Sequence, residues 1–461
     1  MFRTPLARAV TGAATLLFAG LALAAPSVPS APDPVLAKVG QIVVIYMENR
    51  SFDHLFGLYP GADGIAAAQA QGRATQTGPD GKPYALLPPV TLDKGGADPR
   101  FSAPIPNGPF RIDPGVTLAD KTASPVHAFW THARQINGGR NDRFVVEGNT
   151  GALPMGTFDG SNLKLWALAQ RFTLADRFFQ SAYGGSFLNH MWLVCACSPE
   201  FPGAPAALVA TDERGNGHHP DEEAEVTRDG YAVNTMQGQW LFDPTKKQTL
   251  LPAQTRTTIG DRLSEKGIAW AYYADGYDAA VAATRAGKKA DDFSYHHQPF
   301  TYFKRFVDSA QQRAAHLKDK ADLLRDVAAG TLPPVAFYKP MGGKNMHPGM
   351  NRSSVAAGDD DAADLVAAIM AGPQWRNTMV IVTTDENGGF WDHVAPPKGD
   401  RFGPASRIPA LIISPFSEGG YIDHTEYETV SILKLIEERF GLAPLGARDA
   451  NANSLAKALR H

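Results

Sequence analysis

Residues 41–47 read Gln-Ile-Val-Val-Ile-Tyr-Met, a continuous β-branched and apolar run. A strand with one wet face alternates apolar and polar side chains, so a strand without alternation must be covered on both faces. Comparable runs recur at 268–273, 335–338, 379–383 and 409–413. Helix-like stretches lie between them, among them 359–370, opened by acidic residues, and 430–440, followed by Gly441. This alternation predicts an α/β fold with a mostly parallel central sheet flanked by helices. The chain has 461 residues, 44% of them hydrophobic and 20% charged, enough to fill such a core.

Two segments break the rhythm. Residues 58–125 and 199–256 are rich in Gly, Pro, Asp and Thr and longer than ordinary connections, so they are expected to be insertions that wall or cover the edge of the sheet. The remainder of 36–461 is expected to be one catalytic domain. At the start of the chain, Arg3 and Arg8 precede an uncharged stretch over 9–24 that ends in Ala22-Leu23-Ala24, the pattern of a secretory signal with an A-x-A cleavage site. The stretch is shorter than the roughly 20 apolar residues a membrane span requires. The expectation is a signal peptide over 1–24, a Pro/Ala/Ser linker over 25–35, a periplasmic or secreted product and no stable membrane insertion. The only two cysteines, Cys195 and Cys197, stand one residue apart, where a bridge is expected to be strained, and so are expected to be buried free thiols. A formal net charge of −3 leaves no global basic field to attract nucleic acid. Any phosphate must be held by local groups.

In open parallel sheets ligands bind beyond the carboxyl ends of the strands. Residues just after two of the runs are polar: Glu48-Asn49 after the first, and Asp385-Glu386-Asn387 after the run at 379–383, with Asp392 and His393 beyond. Either pair alone could be a turn or a helix cap. Together, at one sheet edge, they offer several oxygen ligands to one divalent cation. Ser186 follows Gly184-Gly185 and opens a helix-like run, a position where backbone N–H groups favour an anion. It could equally serve as the helix cap. His127, His296-His297 and His347 lie in loops punctuated by Pro or Gly, whereas His218-His219 sit in a charged, solvated loop and are left out of the site.

With these residues assembled, the chain resembles the bacterial phosphoesterase family that contains phospholipases C and related acid phosphatases. The matching motifs are Glu48 through His54 with Gly57, His296-His297-Gln298-Pro299-Phe300 with Tyr302-Phe303, His347-Pro348, and Asp385-Glu386-Asn387-Gly388-Gly389-Phe390 with Asp392-His393-Val394. The resemblance implies an alkaline-phosphatase-like fold, with Glu48, Asn49, Asp385 and Glu386 holding one divalent metal and Ser186 as the nucleophile. It also implies that Asn49, His127, His297 and His347 contact the phosphoryl group or the leaving oxygen. Of the adjacent pair, His297 is taken to face the site, because successive side chains point opposite ways. Phospholipases of the family tend to carry Thr followed by Pro-Asn-Arg near the nucleophile. This chain has Ser186-Phe187-Leu188-Asn189-His190, which looks like the acid phosphatase branch. The implied substrates are small phosphorylated molecules, with phospholipids as the alternative, approached through Phe52, Phe187, Trp391 and the aromatics of 300–306. Imidazole acids would favour turnover at mildly acidic pH.

Overall fold

The structure is a computed structural model that describes residues 1–2, 33–101, 104–113, 115–216, 223–349 and 352–459. The expected signal peptide after its first two residues, all of the linker but its last three residues, and His218-His219 lie outside the described residues. From Asp33 onward the described chain belongs to one compact unit.

Among the described residues, nine strands build the main sheet: β1 (Gln41–Met47), β2 (Thr173–Phe179), β3 (Trp270–Ala274), β4 (Leu317–Lys318), β5 (Val335–Lys339), β6 (Thr378–Thr384), β7 (Arg407–Ile413), β8 (Ile422–Asp423) and β9 (Tyr427–Glu428). Their order across the sheet is β8-β2-β7-β6-β1-β5-β3-β4, with β9 also beside β2. The five apolar runs all became strands, and every pairing is parallel except the two that β7 makes. The exception has a simple cause. Residues 385–406 contain no helix to carry the chain back across the sheet, so β7 returns directly and must run antiparallel. Its first residue, Arg407, therefore starts at the edge where β6 ends.

Helices around the sheet include α1 (Phe52–Leu55), α2 (Phe129–Ile136), α3 (Lys164–Ala169), α4 (Ser186–Cys195), α5 (Ile259–Glu265), α6 (Lys320–Ala329), α7 (Val355–Ala371) and α8 (Val430–Phe440). Alternate residues of β1 serve two separate cores. Ile42, Val44 and Tyr46 pack with residues of α4, α5 and α8, whereas Val43, Ile45 and Met47 pack with those of α1, α3, α6 and α7. Both faces of β1 are dry, which is why its sequence shows no alternation. Helix α7 starts earlier than its acidic residues suggest, because Ser354 caps it by accepting from the Ala357 N–H at 3.1 Å. No helix among the described residues is long and apolar enough to cross a membrane.

The first insertion builds a small core of its own from Ile65, Leu87, Val90 and Ile105, closed by Phe390 and Trp391. The second buries Val226, Val233, Met236 and Leu241 in the core on the α4 side. The cysteine expectation is overturned: Cys195 and Cys197 form a disulfide. Ala196 between them adopts the left-handed conformation (φ 48°) that ends α4 and turns the chain, bringing the two Cα atoms to 5.2 Å. That lies within the range a bridge spans.

Arg407 is fully buried and ties the loops after β1 and β6 together. Its Nε donates to Asp392 at 3.0 Å and one terminal nitrogen to Asp53 at 3.0 Å, while the other reaches the carbonyls of Asp63 and Asp176 at 2.7 and 2.8 Å. The Asp53, Asp392 and His393 side chains lie close enough to hold a metal, but the guanidinium already neutralises the two carboxylates. Removing one partner from a buried ion pair leaves the other uncompensated, at roughly 3–5 kcal/mol. Arg407→Met should lower the unfolding free energy by about that much in urea titration. A loss below about 1 kcal/mol, the level of an exposed pair, would show that the two loops do not depend on this residue.

Candidate active site

Strands β1 and β6 pair in register from Gln41↔Thr378 to Met47↔Thr384. Glu48-Asn49 and Asp385-Glu386 therefore emerge side by side, though far apart in sequence. The Asp385 N–H donates to the Met47 carbonyl at 3.1 Å, and the Asn49 N–H donates to Asp385 Oδ1 at 3.1 Å. Asn49 holds a left-handed backbone (φ 52°), which asparagine tolerates better than most residues. Gly388 (φ 64°) passes so close that a Cβ there would lie 2.3 Å from the Asn49 carbonyl oxygen. Only glycine closes this corner.

Ser186 opens α4, with Gly185 at the capping position. The capping role left open by the sequence does not hold, because no side chain caps this helix. Instead the Ser186 hydroxyl lies 3.0 Å from Glu48 Oε2 and 3.3 Å from Asn49 Oδ1. It forms part of the wall of a cavity of about 580 Å³ together with His127, His296 and His347. Both insertions contribute to the rim: Ser124 and Pro125 from the end of the first, Val233, Asn234 and Thr235 from the second.

His127 Nδ1 pairs with the Pro125 carbonyl at 2.7 Å, which leaves Nε2 facing Asn49 Nδ2 at 3.2 Å and Glu386 Oε1 at 3.7 Å. His347 is set by its own N–H, which donates to Asn345 Oδ1 at 2.9 Å, and its ring stands 5.8 Å from that of His127. The adjacent pair divides differently from expectation. His297 is buried behind the site with Nε2 2.7 Å from Glu48 Oε1, and His296 is the one that faces the cavity. A turn of 3-10 helix over Tyr295–His297 replaces the extended geometry in which neighbours point opposite ways, so both rings reach the site from different sides.

Two residues escaped the sequence reading. His190 lies on α4 one turn after Ser186, where its Nδ1 contacts the Ser186 carbonyl at 2.7 Å and its ring stacks on His297. The i, i+4 spacing from Ser186 was the available signal. Lys339, the last residue of β5, is fully buried, with Nζ 2.5 Å from Glu48 Oε1 and 3.4 Å from Asp385 Oδ2. A lysine closing an apolar strand at this edge was the signal. Asp385, expected as a metal ligand, has both oxygens engaged: Oδ1 by the N–H groups of Asn49 and Glu386, Oδ2 by Lys339.

Burial raises every carboxyl here, and neighbours then separate them. Lys339 and His297 more than offset burial at Glu48 and hold it well below the usual range. Asp385 is pushed up to about 7 by burial and by the Glu48 charge. Glu386 is pushed well above its usual value by burial and by Asp385. Its Oε1, though buried, has no hydrogen-bond partner. A cation facing Glu48 Oε2, Asn49 Oδ1, Ser186 Oγ and Glu386 Oε1 would relieve both the repulsion and the missing partner. This oxygen-rich set suits a hard or borderline divalent ion. Burial lowers His127 and takes His347 down to about 4, the direction opposite to the one that protonation at mildly acidic pH requires.

Comparison with known proteins agrees with this chemistry. A profile of the Phosphoesterase family matches residues 39–443. The Pseudomonas aeruginosa protein named non-hemolytic phospholipase C is 27% identical over 446 residues, covering 88% of this chain and 54% of its own length. The chain thus spans about half of that relative. Phospholipase C B of Mycobacterium tuberculosis is 26% identical over 482 residues, covering 94% and 80%. The non-specific phospholipase C3 of Arabidopsis thaliana is 23% identical over 464 residues, covering 91% and 73%. Among solved structures, a protein of the alkaline phosphatase superfamily from Vibrio parahaemolyticus aligns with a TM-score of 0.33 at 11% identity, covering 72% of each chain, a likeness too slight to bear on the site. With the family match extending over most of the chain, from β1 through the end of α8, this protein belongs to the Phosphoesterase family.

Proposed function

We propose that this chain is an exported, metal-dependent phosphomonoesterase of the acid phosphatase type that works through a phosphoserine at Ser186. The observation that carries the reading is the Ser186 hydroxyl, released from helix capping and held between Glu48 and Asn49 in a histidine-lined cavity. Glu48 Oε2 accepts the hydroxyl hydrogen bond and aims Oγ. Serine Oγ forms a bond to phosphorus as the bond to the leaving oxygen breaks, and water then releases phosphate from the serine. The N-terminus of α4 and the cavity histidines meet the charge on the equatorial oxygens. The phosphoryl group itself raises the proton affinity of His127, His296 or His347, one of which protonates the leaving oxygen. A divalent ion held by Glu48, Asn49 and Glu386 beside Ser186 would supply charge neutralisation and a lowered serine pKa.

Phospholipase C activity is the second reading, favoured by the names of the relatives. Against it, of the aromatics expected to line an apolar approach, Phe187 borders the cavity, whereas Phe52, Trp391, Phe300, Tyr302, Phe303 and Phe306 are buried in the core away from it. Export is supported by the signal-like pattern over 1–24 and by the Cys195–Cys197 bridge, a bond that persists in oxidising compartments.

Ser186→Ala should lower kcat on p-nitrophenyl phosphate on the order of 10³-fold or more with unchanged circular dichroism. Acid quenching of the wild type with labelled substrate should leave phosphate on Ser186. Near-normal turnover by the variant would end the assignment. The wild type should also hydrolyse p-nitrophenyl phosphate with a higher kcat/KM than phosphatidylcholine, and chelation should cut both rates by orders of magnitude. The opposite preference selects the phospholipase reading. N-terminal sequencing of protein recovered outside the cytoplasm should begin just after Ala24, and an intact Met1 on protein retained in the cytoplasm would refute export.

A further inference from the structure

Glu48 presents its two oxygens to two different cation environments. Oε2 faces Ser186, while Oε1 faces Lys339 at 2.5 Å and His297 at 2.7 Å. Glu48, His190 and Asp385 each offer a ligand atom within 4.8 Å of one another, all fully buried, and Asp385 Oδ2 lies 3.8 Å from His190 Nδ1. Such a group of two carboxylates and an imidazole has the donors of a divalent metal site. His190 Nε2, moreover, is buried without a hydrogen-bond partner. The ammonium of Lys339 stands among these groups, 3.4 Å from Asp385 Oδ2, and also donates to the Met47 carbonyl at 3.0 Å. A carboxylate that shares its oxygens between two cations is the usual bridge of a two-metal hydrolase, whose ions lie roughly 3.5–4 Å apart.

We infer that Lys339 is a built-in cation occupying a second, latent metal site formed by Glu48, Asp385 and His190, so that the protein takes a single ion, on the Ser186 side of Glu48. The inference rests on the metal-dependent reading above. Lys339 is a positioning residue: it fixes Glu48 Oε1, and with it the orientation of the oxygen that meets Ser186. A covalently attached charge holds this position without a second ion to be bound or lost. Glu48 is thereby kept aimed.

The test is metal stoichiometry. Wild-type protein and Lys339→Ala, each equilibrated with excess Zn²⁺ and passed through a desalting column, are analysed for bound zinc per chain. One equivalent in the wild type and two in Lys339→Ala, with the second lost again in Lys339→Ala/Asp385→Asn, is the expected result. One equivalent in both the wild type and a folded Lys339→Ala overturns the inference while leaving the metal-dependent reading intact. Two in the wild type overturns it whatever the variant does. No zinc in the wild type, repeated with Mn²⁺ and Mg²⁺, refutes the metal reading and the inference with it. If Lys339→Ala fails to fold in metal-free buffer, it is refolded with excess Zn²⁺. Recovery of folded protein with two equivalents supports the inference, and failure to recover any overturns it.

Discussion

Three carboxyl groups, those of Glu48, Asp385 and Glu386, are fully buried at one edge of the sheet, and the surrounding structure answers that concentration of charge. Desolvating one carboxylate is costly, and desolvating several together adds their mutual repulsion. The fold responds group by group. Lys339 and His297 stabilise Glu48, two backbone N–H groups and Lys339 engage Asp385, and Glu386 keeps an oxygen without a partner. Nearby, the second buried acidic pair, Asp53 and Asp392, is neutralised by Arg407. The contrast separates the two clusters. One is closed by a guanidinium and serves the frame, and the other is left incomplete beside a serine hydroxyl.

The position of that hydroxyl follows from backbone details that hold it in place. Gly185 takes the capping position of α4, so Ser186 need not, and Gly388 permits the loop after β6 to touch the loop after β1. The serine then lies where helix N–H groups, a carboxylate and an amide oxygen converge. On the proposed function, little reorganisation is left for the reacting state, which is how preorganised sites gain rate.

The sheet was legible in the sequence because its strands are covered on both faces, and runs such as 41–47 and 379–383 carry that signature without ambiguity. Strand direction was not legible, since an apolar run has no polarity of its own, and the antiparallel course of β7 follows from the missing crossover helix. Glu48, Asn49, Ser186 and Glu386 could be picked out because polar residues directly after strands or at helix starts are exposed to the sheet's working edge. Lys339 and His190 were hidden, because each lies inside an element that reads as core. The aromatics of 300–306 misled for the converse reason: local sequence does not distinguish an apolar wall from an apolar interior. The cysteine pair depended on a left-handed Ala196, a conformation that alanine does not announce.

The unbroken register between β1 and β6 has a consequence for how relatives of this protein can diverge. Seven successive residue pairs lead up to the site without a bulge. Deleting or inserting one residue in either strand would move its whole set of side chains to the opposite face and carry Glu48 or Asp385 out of alignment. Changes of chain length cost far less in the two long segments that rim the cavity, where loop closure varies only slowly with length. On the proposed function, substrate preference can drift by lengthening or shortening those rims while Glu48 and Asp385 stay where the paired strands put them.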